Sequence, residues 1–154
     1  MDNKISNIRT GGNIMNNITR GSVWWINMPI KPNSHVQGGG RPYVVLSDIN
    51  AGENATSGVV TVCPMSTKID KFASHAKVKF KRDAQVLCDQ ITTVDVSDFT
   101  EYNGQLSDYD MQKVEEALTY YLGIKLTTNP NTKLDDIEKR LNTIEVALTF
   151  NGIL

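Results

Sequence analysis

The sequence of 154 residues has few cysteines and histidines and lacks any long hydrophobic run. Two cysteines and two histidines without zinc-finger spacing exclude a four-ligand zinc site. Cys63 and Cys88 lie in apolar segments, so buried reduced thiols are expected instead of a disulfide. The absence of 18 consecutive apolar residues excludes a membrane-spanning helix. Residues 1–20 lack the apolar stretch of a secretory signal, so we expect a cytoplasmic protein without membrane association.

The small net charge of −1 conceals an uneven distribution of charged residues. Residues 1–94 contain eleven Lys or Arg against six Asp or Glu, whereas residues 95–154 contain five against eleven. A basic body of this kind could present a positive groove to a polyanion. From charge alone, a positive groove and an uneven surface charge without function are equally supported.

The first two thirds of the chain are predicted to form a small antiparallel β-barrel. Residues 1–19 are rich in Asn, show no sustained hydrophobic period and are predicted to be a poorly ordered leader. Short apolar and β-branched segments then alternate with turn residues. This pattern predicts strands at 21–28, 42–48, 58–65, 75–80, 85–91 and 92–95. Because turns and not helices join the strands, the expected fold is mainly β.

The hydrophobic period becomes helical after Ser107, which is a suitable N-cap with Asp110 three residues later. A break around Pro130 precedes a second predicted helix. Its apolar residues recur at intervals of three and four and form a seam of the coiled-coil kind: Leu134, Ile137, Leu141, Ile144 and Leu148. Residues 125–154 are therefore predicted to be a helical extension. The seam could cover the barrel, extend a dimer or meet a partner.

Two loop regions could carry chemistry. Three consecutive glycines at 38–40 could let the backbone approach a ligand closely, and the adjacent Arg41 offers donors suited to a phosphate. A surface loop whose arginine pairs with a carboxylate is the alternative. Ser66, Thr67 and Lys68 follow a predicted strand and could bind phosphate oxygens or cap a turn.

Three further features are ambiguous. Asp89 lies among apolar residues, so it must either have a partner or line a cleft, because an unpaired buried charge is costly. Alternation sends one ring of Trp24 and Trp25 inward and the other outward, where it could stack on a base or fill a subunit interface. Lys77 and Lys79 share one strand face and could bind backbone phosphates or be solvated.

Taken in order, these segments resemble the MazF/PemK (Kid) family of toxin endoribonucleases. The resemblance lies in RGSVWW (20–25), HVQGGGRPYVVLS (35–47), VVTVCPMSTK (59–68), VLCDQITTVD (86–95) and MQKVEEALTYYLGI (111–124). It covers residues 20–124 as a toxin domain and implies an SH3-like β-barrel of the CcdB/MazF kind with C-terminal helices. It also implies a homodimer, single-stranded RNA in a groove between subunits, and a small antitoxin that covers this groove.

The resemblance implies cleavage of RNA at a short sequence without metal or cofactor. Such cleavage uses the ribose 2′-hydroxyl as nucleophile and gives a 2′,3′-cyclic phosphate and a 5′-hydroxyl end. The alternative is a CcdB-like protein that inhibits gyrase, or binds RNA or antitoxin, and cleaves nothing. The combination of Arg41, Ser66 and the glycine-rich loop favours the enzyme.

Carried over position by position, the resemblance assigns site residues. Arg41 would contact the phosphate, and Ser66 stands where many members have a catalytic threonine. The functional histidine and the proposed base of the PemK/Kid branch correspond to His35 and Asp89. The residues expected to bind RNA are Gly39, Gly40, Thr67, Lys68, Gln90, Lys77 and Lys79. Leu87 and Thr92 replace two arginines of the family, which leaves the general acid unassigned.

Overall fold

A computed structural model of the chain describes residues 17–49, 57–125 and 130–152. These residues group into two compact units, one that ends at Gly123 and one that begins at Ile124. Most of the predicted leader lies outside the described residues. Ile18, at the end of that leader, is fully buried, so the packed chain begins before residue 20.

The described residues of the first unit form seven antiparallel strands: β1 (Ser22–Met28), β2 (Gly39–Val45), β3 (Val59–Ser66), β4 (His75–Phe80), β5 (Arg82–Leu87), β6 (Thr92–Asp95) and β7 (Phe99–Gln105). The strand order is β4-β5-β3-β2-β1-β7, and β6 pairs with the first half of β3. The predicted mainly β architecture is confirmed.

Several strand boundaries differ from the prediction, and the differences are largest in β2 and β5. β2 begins at Gly39 because the glycines pair with β1, in the register Met28 with Gly39 and Asn27 with Gly40. The predicted start at Pro42 was therefore wrong. β5 ends at Leu87, before the predicted end at 91, because the chain turns there and the Gln90 N–H donates to the Leu87 carbonyl at 3.0 Å.

β7 was not predicted from the sequence. Its residues, FTEYNGQ, include acidic, amide and glycine side chains that are typical of turns, and only Phe99 is buried. The strand forms because it pairs with β1, with two register shifts along the ladder. The paired residues, for example Trp25 and Glu101, are about 75 positions apart in the sequence. A local sequence pattern therefore cannot reveal the pairing.

The sheet separates two hydrophobic cores. Successive side chains of β2 point to opposite faces, so Val44 packs in one core and Val45 in the other. The same alternation buries Trp24 in the second core and leaves Trp25 38% exposed, as predicted. The free cysteines Cys63 and Cys88 are both buried.

The two edges of the sheet meet at Phe80 and Gly104. A Cβ added to Gly104 would lie 3.0 Å from Cε2 of the Phe80 ring, so the last residue of β4 packs directly on β7. Gly104 also has φ +137°, a backbone conformation that residues other than glycine rarely adopt. The contact brings the ends of the sheet together and gives it its barrel-like form.

Helix α1 (Asp108–Leu122) begins at the predicted N-cap, where the Ser107 hydroxyl oxygen accepts from the Asp110 N–H at 3.1 Å. The helix ends at Gly123, which adopts the left-handed conformation with φ +64°. Val114 and neighbouring apolar residues of the helix are buried against the first core. α1 therefore completes that core.

The second unit contains helix α2 (Pro130–Phe150). Four of its seam residues have exposed side chains, between 46% and 57% accessible: Leu134, Ile137, Leu141 and Ile144. Within the described residues, no helix is both long and apolar enough to span a bilayer.

Candidate functional site

A cavity of about 410 Å³ opens on the first unit where β2, β3 and the β4–β5 hairpin come together. Its polar lining residues are Arg41, Ser66, Thr67, Lys81, Arg82 and Asn103. Its apolar lining residues are Trp25, Pro42, Met65, Phe80 and Ala84. Three of these residues are cationic and none is acidic, so the cavity favours an anionic ligand.

Strand register brings Arg41 and Ser66 into the same cavity. β2 and β3 pair with Tyr43 opposite Pro64, and continuing this register places Arg41 opposite Ser66. Both residues were expected at the phosphate, and the structure places both in the lining of one concavity.

The Arg41 guanidinium has spare hydrogen-bonding capacity. Its Nη2 donates to the Gly38 carbonyl at 3.2 Å. Its Nε is buried and, among the described residues, has no hydrogen-bond partner, and the same is true of Nδ2 of Asn103. Buried donors are nearly always satisfied in folded proteins. Both donors belong to residues that line one cationic cavity, but both are shielded from solvent, so a ligand oxygen would reach them only after neighbouring atoms shift.

Ser66 caps a turn and also lines the cavity. Its Oγ accepts from the Lys68 N–H at 3.1 Å, so the predicted turn-capping alternative is realised. A serine hydroxyl that accepts one hydrogen bond keeps its own proton to donate. Thr67 lies beside it in the lining, whereas Lys68 is exposed and lies outside the lining.

The glycines before Arg41 are required by internal packing. A Cβ on Gly40 would lie 2.5 Å from Oδ1 of Asn27 and 2.8 Å from Nε1 of Trp25. A Cβ on Gly38 would lie 2.8 Å from the Pro29 carbonyl oxygen. The expectation that missing Cβ atoms leave room for a ligand is therefore corrected at these two positions, because the chain itself fills the space.

His35 and Gln90 lie together, apart from the cavity lining. The Gln37 N–H donates to Oε1 of Gln90 at 2.7 Å, and Nε2 of Gln90 lies 3.5 Å from the His35 carbonyl oxygen. Gln90 thus anchors the loop that carries His35, and the His35 side chain is exposed. The structure does not bring His35 into the lining with Arg41.

Asp89 has a partner, which is one of the two alternatives left open by the sequence. Its Oδ1 lies 3.0 Å from Nε2 of His75, and Nδ1 of the same ring lies 2.9 Å from both carboxylate oxygens of Asp70. The His75 side chain is only 8% exposed. Asp89 does not line the cavity, so its position provides no support for a role as the base there.

The Asp70 carboxylate has several donors. Burial by itself would raise the pKa of Asp70, but hydrogen bonds from Gln85, the Phe72 N–H and His75 outweigh this effect and lower the pKa below its usual value. Gln85 is buried, and its side chain also binds the Lys68 carbonyl and the Asp70 N–H. These bonds fix the segment that leads from Ser66 to β4.

Lys77 and Lys79 lie at a different place. Both are exposed on β4, as the alternation predicts, and they line a smaller pocket of about 250 Å³ with Lys113 and Asp83. Neither lines the Arg41 cavity. Any binding of RNA by these lysines would be a contact separate from that cavity.

Sequence reasoning missed three polar lining residues. Lys81 and Arg82 lie at the turn between β4 and β5, where Lys81 has φ +53°. Asn103 lies in the unpredicted strand β7. A Lys-Arg pair between two alternating segments was the available signal for the first two, whereas nothing local indicated Asn103. No cluster of three or more His, Cys, Asp or Glu suited to a metal occurs in the described parts of the chain.

The chain is similar to proteins named as endoribonucleases and to solved MazF structures. Endoribonuclease EndoA of Bacillus subtilis (strain 168) is 28% identical over 112 residues, which cover 70% of this chain and 96% of EndoA. The crystal structure of MazF (Form-I) from Deinococcus radiodurans has a TM-score of 0.60 at 24% identity and covers 69% of this chain and 96% of that one.

A mycobacterial endoribonuclease in complex with its cognate antitoxin has a TM-score of 0.59 at 19% identity, over 70% of this chain and 96% of that one. These likenesses show that about 70% of the chain shares the fold of these structures. The family described as PemK-like, MazF-like toxin of type II toxin-antitoxin system matches residues 19–122. With two thirds of its length matched, the chain belongs to this family of toxins.

Proposed function

We propose that this protein is an endoribonuclease toxin that cleaves single-stranded RNA at a short sequence and is neutralised by a cognate antitoxin. The family match and the relative named endoribonuclease support the activity. The convergence of Arg41 and Ser66 in a cationic cavity with unmet donors carries the assignment of the site.

The proposed reaction needs no group beyond the RNA and the protein. The ribose 2′-oxygen attacks the adjacent phosphorus, and the bond from phosphorus to the 5′-oxygen breaks. The products are a 2′,3′-cyclic phosphate and a 5′-hydroxyl, which takes up the proton equivalent lost by the 2′-hydroxyl. DNA of the same sequence lacks the nucleophile, so it is bound and left intact.

Arg41 and Ser66 stabilise the charge that develops on the phosphorane. The Arg41 guanidinium lines the cavity and donates to a non-bridging phosphate oxygen. The Ser66 hydroxyl donates to a second oxygen. Preorganised donors of this kind act most strongly where charge develops in the transition state. Lys81 and Arg82 attract the flanking phosphates.

Proton transfer is assigned from the family resemblance, since His35 lies outside the cavity lining. His35 is exposed on a loop anchored by Gln90, and we retain it as the group that exchanges protons with the substrate. Asp89 is held by His75, so its role is to position the turn after β5. Gly39 and Gly40 shape the start of β2 beside Arg41, and Thr67 contributes a hydroxyl to the cavity.

We also propose that the active form is a homodimer with RNA along the groove between subunits, and that it works in the cytoplasm. Trp25, 38% exposed beside Arg41 in the cavity lining, is placed to stack on a base or to meet the second subunit. A structure of an endoribonuclease with its cognate antitoxin, and a MazE-MazF structure of Deinococcus radiodurans, support an antitoxin partner. The CcdB-like alternative is not favoured by these relatives.

The deciding experiment incubates the purified protein with a long single-stranded RNA in EDTA and maps the product ends. We expect discrete cuts with 2′,3′-cyclic phosphate and 5′-hydroxyl ends, and no cuts in DNA of the same sequence. RNA that stays intact would contradict the proposal and support a binding protein.

A further inference from the structure

We propose that α2 associates with α2 helices of other copies of this chain as a parallel coiled coil. The toxin reaction leaves the seam of α2 unexplained. Its residues recur at intervals of three and four over 15 residues of a 21-residue helix, which is the spacing of alternating a and d heptad positions. Leu134, Leu141 and Leu148 occupy the a positions, and Ile137 and Ile144 occupy the d positions.

The seam is branched, apolar and accessible on this helix. Its residues from Leu134 to Ile144 are about half exposed, whereas a stable soluble helix normally buries such a stripe. Asn151 occupies the next d position and its amide binds back to the Ala147 carbonyl at 2.9 Å. The seam therefore ends at Leu148, and its length matches two heptads.

The flanking charges identify the occupant as a second copy in parallel orientation. Arg140 is at a g position, and Glu138 and Glu145 are at e positions. In a parallel pair, position g faces position e of the following heptad, so Arg140 of each copy meets Glu145 of the other. Neither residue has an ion pair within the described part of the chain.

An antiparallel pair would place e positions against e positions and bring the two glutamates of one copy against those of the other. Like charges at this spacing are destabilising. The parallel arrangement is therefore favoured.

The test places a cysteine at one end of the seam in the full chain. Leu134→Cys is oxidised under mild conditions and the fraction of disulfide-linked chains is measured on a non-reducing gel. A parallel bundle brings residue 134 of neighbouring copies together, so we expect the linked species in this single variant. The wild type, with Cys63 and Cys88 buried, gives the background.

Two further variants separate helix packing from accidental collision. Adding Ile144→Asp to Leu134→Cys removes a seam side chain and should reduce the linked fraction at least about tenfold. Adding Val146→Asp makes a similar change on the opposite side of the same helix, at a residue 69% exposed, and should leave the linked fraction unchanged.

Three results would overturn the proposal. Linkage of Leu134→Cys that survives Ile144→Asp would show collision without packing. Linkage found only when Leu134→Cys is mixed with Leu148→Cys would show an antiparallel pair. Absence of linkage would show that the seam is covered by another segment of the chain or by a different protein. None of these results depends on cleavage of RNA, so failure here is distinguishable from failure of the proposed function.

Discussion

Two polar clusters in the first unit, one around His75 and one in the Arg41 cavity, differ in how completely their hydrogen bonds are satisfied. In the cluster around His75, both ring nitrogens bind carboxylates and the side chain is only 8% exposed. In the cavity, Arg41 and Asn103 each keep a buried donor without a partner among the described residues. A cluster that is satisfied internally stabilises the fold, whereas one with unmet donors is prepared for a ligand. The difference supports the proposed role of the cavity in the reaction and a structural role for the His75 cluster.

The largest effect is expected for Arg41→Ala. Loss of the guanidinium removes the main charge opposite the phosphorane, so the cleavage rate should fall by about 10²–10³ or more. The unfolding midpoint should stay close to that of the wild type, because the lost internal contact is one bond to the Gly38 carbonyl. Initial rates on a fluorescent RNA and a thermal melt measure the two quantities. Arg41→Lys keeps the charge but not the planar arrangement of donors, so its cleavage rate should lie between those of the wild type and Arg41→Ala. Full activity in Arg41→Ala would exclude Arg41 from the site.

Ser66→Ala should lower the cleavage rate by about tenfold to a hundredfold, since one neutral donor is lost while the guanidinium remains. Ser66→Thr retains the hydroxyl and is the matched control, with a rate near that of the wild type. Equal rates for the serine and alanine proteins would show that the hydroxyl only caps its turn.

His75→Ala tests the other cluster. Removing the ring leaves two carboxylates without their shared partner, and we expect a loss of about 1–2 kcal/mol in the free energy of unfolding, because both are partly solvated. Urea unfolding measures the loss. Cleavage well below the melting temperature should change by less than about threefold. A collapse of activity in a protein that remains folded would instead place His75 in the reaction and erase the contrast between the clusters.

His35→Ala should reduce cleavage only partly and alter the pH–rate profile, because it removes a group proposed to exchange protons with the substrate. Rates measured across pH 5–9 give the profile. Gln37→Ala changes a neighbouring side chain in the same loop and serves as the control, since the bond to Gln90 comes from its backbone N–H. An unchanged profile in His35→Ala would exclude His35 from proton transfer.

The smallest effect concerns acid stability. The pKa of Asp70 is lower in the folded protein than its usual 3.8, so the unfolded chain binds its proton first as the pH falls. The stabilisation is fully present above pH 3.8 and is lost as the pH falls through the lowered folded pKa. Urea midpoints should therefore drop less between pH 5 and pH 2 in Asp70→Asn than in the wild type. An identical drop would show that this carboxylate does not contribute.

The sequence predicted the features that depend on local pattern. Alternation located β4, the outward Trp25 and the exposed lysines of β4, and the Ser107 cap located the start of α1. β7 escaped because its residues have turn-like character and its stability comes from pairing with β1. Asn103 was not predicted as a lining residue because it lies in β7.

Residue chemistry and the family resemblance also named candidates for the site, whose roles stay predictions. The guanidinium of Arg41 and the hydroxyl of Ser66 were expected together, and strand register places them together. The partner of Asp89 was not predictable, because the bond joins the turn after β5 to His75 at the start of the paired strand β4. The glycines were misinterpreted because the atoms that a Cβ would meet belong to other parts of the chain, Trp25 and Asn27 of β1 at Gly40 and Pro29 at Gly38.

The unmet donors of Arg41 and Asn103 also have a thermodynamic consequence. An oxyanion that binds them satisfies groups that folding left without partners, and it does so only in the native state. By mass action, a ligand present at a hundred times its dissociation constant would add about 2.7 kcal/mol to the unfolding free energy. A screen of short oligonucleotide analogues by melting temperature would thus report on occupancy of this cavity without any cleavage.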